Sequence, residues 1–193
     1  MILVVAVVLS LVVGLLRGGR LGGLIHLPLR WAPLAVIAFA VQAYFIYRAP
    51  LRGSGVPWGW PELLLFGSHV LVLVVLWANR KLAGVKWIAC GLLLNLLVMI
   101  ANGGWMPVTP EALIRTGQAG LVSSMASGTR VQSSKSIVLS QHETRLWFLS
   151  DVFVLAKPFP LPSVFSMGDV LVAAGVFLLL QNTLLTPIRQ TQS

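Results

Sequence analysis

Residues 63–79 read LLLFGSHVLVLVVLWAN, preceded by Pro61-Glu62 and closed by Arg80-Lys81. The run is apolar around its whole circumference rather than along one stripe, as contact with lipid and with neighbouring helices requires. At ~1.5 Å per residue it covers about 25 Å, near the ~30 Å of a bilayer's hydrocarbon core. Trp77 stands at its basic end, where an amphipathic ring sits at headgroup level.

Four other runs have the same character: residues 1–16, 31–47, 87–101 and 170–186. The sequence therefore predicts an all-α integral membrane protein. It has about five transmembrane helices in a single polytopic domain, 1–193, with an outer-face segment, residues 102–163, of irregular chain and short helices. No basic region precedes residues 1–16 and no small-x-small site follows them, so they read as a retained span and not a cleaved signal peptide.

Composition agrees. The 193 residues are 57% hydrophobic and 10% charged, against ~25% charged for soluble domains, and so rich an apolar content excludes a disordered chain. One cysteine, Cys90, excludes a disulfide framework and multi-cysteine metal sites; it reads as a small apolar side chain in the fourth run. The net charge of +9 is mostly directional. Arg17, Arg20 and Arg30, then Arg80, Lys81 and Lys86, then Arg189 share one side with no acidic residue, which predicts N-terminus outside and C-terminus inside. Trp31, Trp77 and Trp87 fall at the inner ends of the runs; Trp58, Trp60, Trp105 and Trp147 fall on the outer side. Membrane lipids are the expected partners of this charge, with other membrane subunits possible. Nucleic acid is not expected, for lack of a basic stripe interleaved with stacking aromatics.

The segment 102–163 opens with NGGWMPV (102–108), whose glycines permit a sharp reversal. Thr109 before Pro110 and Glu111 reads as the N-cap of a short helix to about Val122, weakened by Gly117 and Gly120. The serine-rich stretch 123–142, with Arg130 and Lys135, reads as a mobile loop. TRLWFLSDVFVLA (144–156) is apolar but too short to span, hence an interfacial or re-entrant element. KPFPLP (157–162) reads as a stiff extended connector. Ser166 then caps the last run, with Asp169 at the positive end of its dipole.

NGGWMPV after a span, followed by FLSDVF, PLP and FSMGDVL before the last one, resembles a family of small bacterial multi-pass membrane proteins with an NGGxMPV motif, known only as a domain of unknown function. Its clearest pieces here are Asn102, Gly103, Gly104, Met106, Pro107 and Val108, then Asp151, then Gly168 and Asp169. The resemblance covers most of the chain. It implies a bacterial cytoplasmic-membrane protein and carries no activity or cofactor.

His69, in the middle of its run, is the candidate cofactor-binding residue. It could ligate a haem or chlorin, relay a proton or meet a quinone oxygen. The plainer reading, and the favoured one, is a neutral imidazole bonded across helices to Gln42 or Asn95. His26, beside Pro28, is not at matching depth for a bis-histidine haem. His142, Glu143, Asp151 and Asp169 could form a metal or acid–base cluster, but no HExxH spacing supports it, and Asp151 is expected to pair with Arg145 or a backbone amide near the NGG turn. The 102–108 block reads as a structural corner before a ligand-binding turn. Gly14, Gly18 and Gly22 have small-xxx-small spacing for a close helix contact.

There is no Walker loop, GxGxxG, GxSxG or CxxC, no carboxylate pair within a run, and no inverted repeat of broken helices. The leading expectation is a non-catalytic accessory or assembly subunit, or a lipid-facing scaffold. The alternatives are a small transporter or channel using Gln42, His69 and Asn95, and an outer-face enzyme using His142, Glu143 and Asp151.

Overall fold

The computed structural model describes residues 2–25, 27–48, 59–122, 126–131, 134–160 and 162–186, with Leu121 by its backbone alone. His26, Arg52, Trp58 and Arg189 lie outside the described residues, as do residues 123–125 and 132–133 of the serine-rich stretch. The chain is mostly helical. Five long helices form where the five apolar runs stand: α1 (Ile2–Leu16), α3 (Ala32–Arg48), α4 (Trp60–Ala78), α5 (Val85–Ala101) and α8 (Met167–Leu185). Between them lie the short α2 (Gly22–Ile25), α6 (Pro110–Arg115) and α7 (Ala119–Val122). Of these, α4 and α8, each of 19 residues, are long and apolar enough to cross a membrane; α1, α3 and α5 are shorter apolar helices.

The long helices adjoin in the order α3, α4, α5, α8, α1, a row whose two ends are the first two long helices of the chain. Glycines set the tightest contact. A Cβ on Gly91 would lie 2.3 Å from the Gly168 carbonyl oxygen, and one on Gly84 would lie 2.0 Å from that of Gly175. Each pair is seven residues, or about two turns, apart on its own chain stretch, so both glycines face the partner and the antiparallel backbones of α5 and α8 touch. The spacing expected at Gly14, Gly18 and Gly22 is not the one used. α1 ends at Leu16, Gly18 has φ +81 and nothing near its missing Cβ, and Gly14, Gly19 and Gly23 are the glycines that lie against Leu184 and Thr183 of α8. α1 runs parallel to α8: Ser10 Oγ donates to Phe177 O (3.1 Å), and Gln181 Nε2 donates to Ser10 O (2.6 Å).

The segment between α5 and α8 forms a cap over one end of the row, and here the all-α expectation is corrected. β1 (Met106–Val108) pairs in parallel with β2 (Ser136–Val138), and β3 (Phe153–Leu155) pairs antiparallel with β4 (Ser163–Phe165). β2 lies inside the stretch expected to be a mobile loop. Its Ile137 and Val138 suit a pleated backbone and are both buried. Residues 157–160, expected as a stiff connector, make the turn that lets β3 and β4 pair, with Phe153 stacked on Phe165 at 5.4 Å. The interfacial element over 144–156 becomes a single 3-10 turn (Trp147–Leu149) leading into β3.

The hydrophobic core lies at the cap end, not midway along the helices. Phe45, Leu65, Val98 and Met99 from three helices meet Trp105, Met106 and Ile137 of the cap; Val108, Ala112, Leu113, Val131 and Val138 form the cap's own core. Away from it, large apolar side chains such as Val8, Val36, Phe39 and Leu93 are left uncovered.

Two helix ends use one device. Asn102, after α5, donates from Nδ2 to Val98 O and Arg145 O, while its Oδ1 accepts the Arg145 N–H (2.9 Å). Asn79, after α4, does the same with Val75 O and both backbone groups of Arg30. Each amide satisfies an orphan helix carbonyl and fastens a distant chain segment to it.

Candidate functional site

The NGG corner builds the site. Gly103 (φ +77) and Gly104 (φ +93) hold left-handed backbone that glycine adopts without strain, and a Cβ on Gly104 would press on Glu62 at 2.9 Å. The chain therefore doubles back so that the Met106 N–H donates to Lys135 O (3.0 Å) and Pro107 O accepts from the Asp151 N–H (3.2 Å). Met106 and Pro107 are buried. The block is thus a corner, and it sets Lys135 and Asp151 against β1 through their backbones.

The helix end beneath is equally local in origin. Ser166 Oγ accepts the Asp169 N–H (3.1 Å), and Asp169 Oδ2 accepts the Ser166 N–H (3.2 Å), a reciprocal cap of α8. Asn95, reaching over from α5, donates to Asp169 Oδ1 (2.8 Å) and accepts from Ser166 Oγ (2.7 Å). Lys135 Nζ stands 3.6 Å from the same Asp169 oxygen.

Cap and row thus meet in one polar knot. Asp151, 4% exposed, accepts from Ser136 Oγ at 3.3 Å through Oδ2; its Oδ1 is buried and has no hydrogen-bond partner among the described residues. Burial pushes the Asp151 carboxyl up to about 6, the Lys135 charge holding it back from a larger rise. Burial lowers the Lys135 ammonium, but Asp169 and then Asp151 outweigh it and leave its pKa raised. Of the partners expected for Asp151, Arg145 or a backbone amide near the NGG turn, Arg145 is bonded through its backbone to Asn102. His69 is buried below, with Nδ1 2.8 Å from Leu65 O on its own helix. Since a carbonyl only accepts, that nitrogen carries the proton, and the bond expected across to Gln42 or Asn95 is replaced by one within α4.

A second knot lies over α3 and α4. Arg130, 1% exposed, donates to Phe45 O, Ile46 O and Ser134 O and lies over the Trp105 ring at 4.3 Å. It brings a cation to the negative end of α3. Trp105 Nε1 donates to Glu62 Oε1 (3.2 Å), whose other oxygen accepts the Gly59 N–H before α4.

His142 and Glu143 do not join Asp151. Both are exposed, and Glu143 takes hydrogen bonds from Ser140 and Ser127, which hold its pKa below the ordinary carboxylate value. Among the described residues no group of three or more His, Cys, Asp or Glu stands together as metal donors. Sequence reasoning missed Arg130, Lys135 and Ser136 as site residues. The available signal was the β-branched pair Ile137-Val138 directly after Lys135-Ser136, a strand pattern inside a serine-rich stretch.

The knot has a consequence for pH dependence. Asp151 binds its proton more tightly folded than unfolded, so stability falls as pH rises from about 4 through about 6 and is level for this group above that. The full loss is on the order of 3 kcal/mol. Asp151→Asn is expected to remove this slope and to melt higher than the parent at pH 7–8. Parallel melting curves of the two proteins between pH 4.5 and 8 would refute the assignment.

No solved structure matches the chain. An uncharacterized protein of Thermotoga maritima is 29% identical over 157 residues, which are 81% of this chain and 83% of that protein. A family model covers residues 26–181, from before α3 to within α8, and so includes both knots and the NGG corner: the chain belongs to the Family of unknown function (DUF5317).

Proposed function

We propose that the protein is a small bacterial multi-pass protein of the cytoplasmic membrane, acting without catalysis as an accessory or assembly subunit, or lipid-facing scaffold, of a membrane complex. The observation that supports this is the contrast between bare helices and a fastened cap. Only 28% and 33% of the apolar windows of α4 and α8 are buried, whereas the core helix of a soluble protein is mostly covered. Local thinning of the bilayer and snorkelling of flanking residues let the shorter α1, α3 and α5 span as well, at a modest cost per ångström. The cations around Arg17, Arg30, Arg80, Lys81 and Lys86 then face the cytoplasm, and the cap faces out. Held by Arg130, Asn102 and the Asp151 knot, that cap is a fixed platform for a partner.

Purification in mild detergent after cross-linking in the native membrane, read by mass spectrometry, tests this reading. A partner subunit enriched in constant ratio is the expected result; a protein that migrates alone sinks it. The same preparation's absorption spectrum checks His69, since haem or pigment bands would make it a ligand.

A second reading, a small transporter, is favoured by the gathering of Lys135, Asp151 and Asp169 where the cap meets the row. It predicts proton or cation flux in proteoliposomes that Asp151→Asn abolishes. Flux no greater than in protein-free vesicles dismisses it.

A further inference from the structure

Opposite the cap, the turn between α4 and α5 is ringed by depressions that neither knot uses. One, of about 500 Å³, is lined by Arg80, Lys81, Lys86 and Trp87. A second, of about 250 Å³, shares Arg80 and Lys81 and adds Arg30. A third, of about 470 Å³, begins at Ala83 and Gly84 and adds Arg17. Two of the cations are already held in place. The Arg80 guanidinium lies 4.6 Å over the Trp77 ring and donates to Trp77 O (3.2 Å); Arg17 donates to Gln181 Oε1 (3.1 Å). No carboxylate lines any of the three depressions. All five acidic residues of the chain, Glu62, Glu111, Glu143, Asp151 and Asp169, belong to the cap or to the helix ends beneath it.

The geometry points to a binding site for the phosphate of an anionic phospholipid headgroup in the groove of Arg80, Lys81 and Lys86. One arginine and two lysines line it without a competing carboxylate, and an Arg fork matches phosphate oxygens in pairs. Trp77 and Trp87 flank the groove and suit the headgroup level, where indoles concentrate. The uncovered faces of α4 and α5 leading away from it suit acyl chains, which a soluble phosphate lacks. The inference rests on the membrane reading above. Unlike the general attraction of basic loops to an anionic surface, it names one groove and one group of cations.

The test compares full-length protein in neutral detergent with phosphatidylglycerol, phosphatidylcholine or inorganic phosphate added, reading the melting temperature and the lipid retained in native mass spectrometry. Phosphatidylglycerol is expected to raise the melting temperature and to remain bound, while the other two do neither. At roughly fivefold per cation near an anionic lipid, the triple variant Arg80→Gln, Lys81→Gln, Lys86→Gln should bind it on the order of 100-fold more weakly. Arg115→Gln, in the cap, should bind as the parent does. Equal stabilisation by phosphatidylcholine or by inorganic phosphate overturns the site, as does undiminished retention in the triple variant. Flotation with pure phosphatidylcholine vesicles separates the two levels. Protein that does not float refutes the membrane reading, whereas protein that floats but shows no preference for phosphatidylglycerol refutes only the groove.

Discussion

Gly91→Val is expected to prevent the folded row from forming, with a loss of at least about 4 kcal/mol, beyond the usual ~1–3 kcal/mol of an overpacked core. The reason is what the new Cβ would meet. At 2.3 Å it strikes the Gly168 carbonyl oxygen, with the Val172 amide at 2.9 Å, and neither backbone group can rotate away as a side chain would. α5 and α8 would have to part, which breaks the bonds from Asn95 to Asp169 and Ser166 as well. Gly67→Ala is the matched control. It lies in α4 with nothing near its missing Cβ and should be neutral or gain about 0.5–1 kcal/mol from helix propensity. Fluorescence-detected size exclusion with a temperature ramp reads both. A Gly91→Val protein that melts within a few degrees of the parent would mean that the glycines do not set this contact.

Arg130→Met is expected to cost about 3–5 kcal/mol, the range for removing one partner from a buried charged network. It removes the donor to the carbonyls of Phe45, Ile46 and Ser134 and the positive charge that Arg130 sets near Glu62. Arg130→Lys keeps the charge but loses the fork and the flat contact with Trp105, and should fall between the two. Because the losses fall where the cap meets α3, limited proteolysis should cut within 126–160 in the variant while the helices persist. A cap as resistant as in the parent would refute the role.

The long helices were legible because an apolar run needs no tertiary information to be read. The apolar runs begin three residues after the starts of α4 and α8, since Trp60-Pro61-Glu62 and Met167-Gly168-Asp169 are first-turn residues that resemble flanking loop. Caps made within four residues, at Thr109 and Ser166, were also legible. The sheets were not. β1 and β2 are three residues each, parallel, and joined by a long excursion, so neither strand is stable without the other. The knots depended on that pairing. The partners expected for Asp151, Arg145 or a backbone amide near the NGG turn, are those that the sequence alone suggests, whereas β1 brings in Ser136 and Lys135. Arg130 was hidden for the same reason: its acceptors lie at the end of α3, and nothing local in sequence points there.

The placement of α1 at the edge of the row beside α8 bears on how the molecule is made. α1 meets its neighbour in the row only after all the residues between α1 and α8 have been made. Until residue 181 has been synthesised, Ser10 lacks the interhelical bonds from the Gln181 amide, and Gly14 is without its α8 neighbours Gln181 and Leu184. A nascent chain that stops short of α8 is therefore an incomplete row with one strip of α1 bare, and α8 is the segment that joins α1 to the rest.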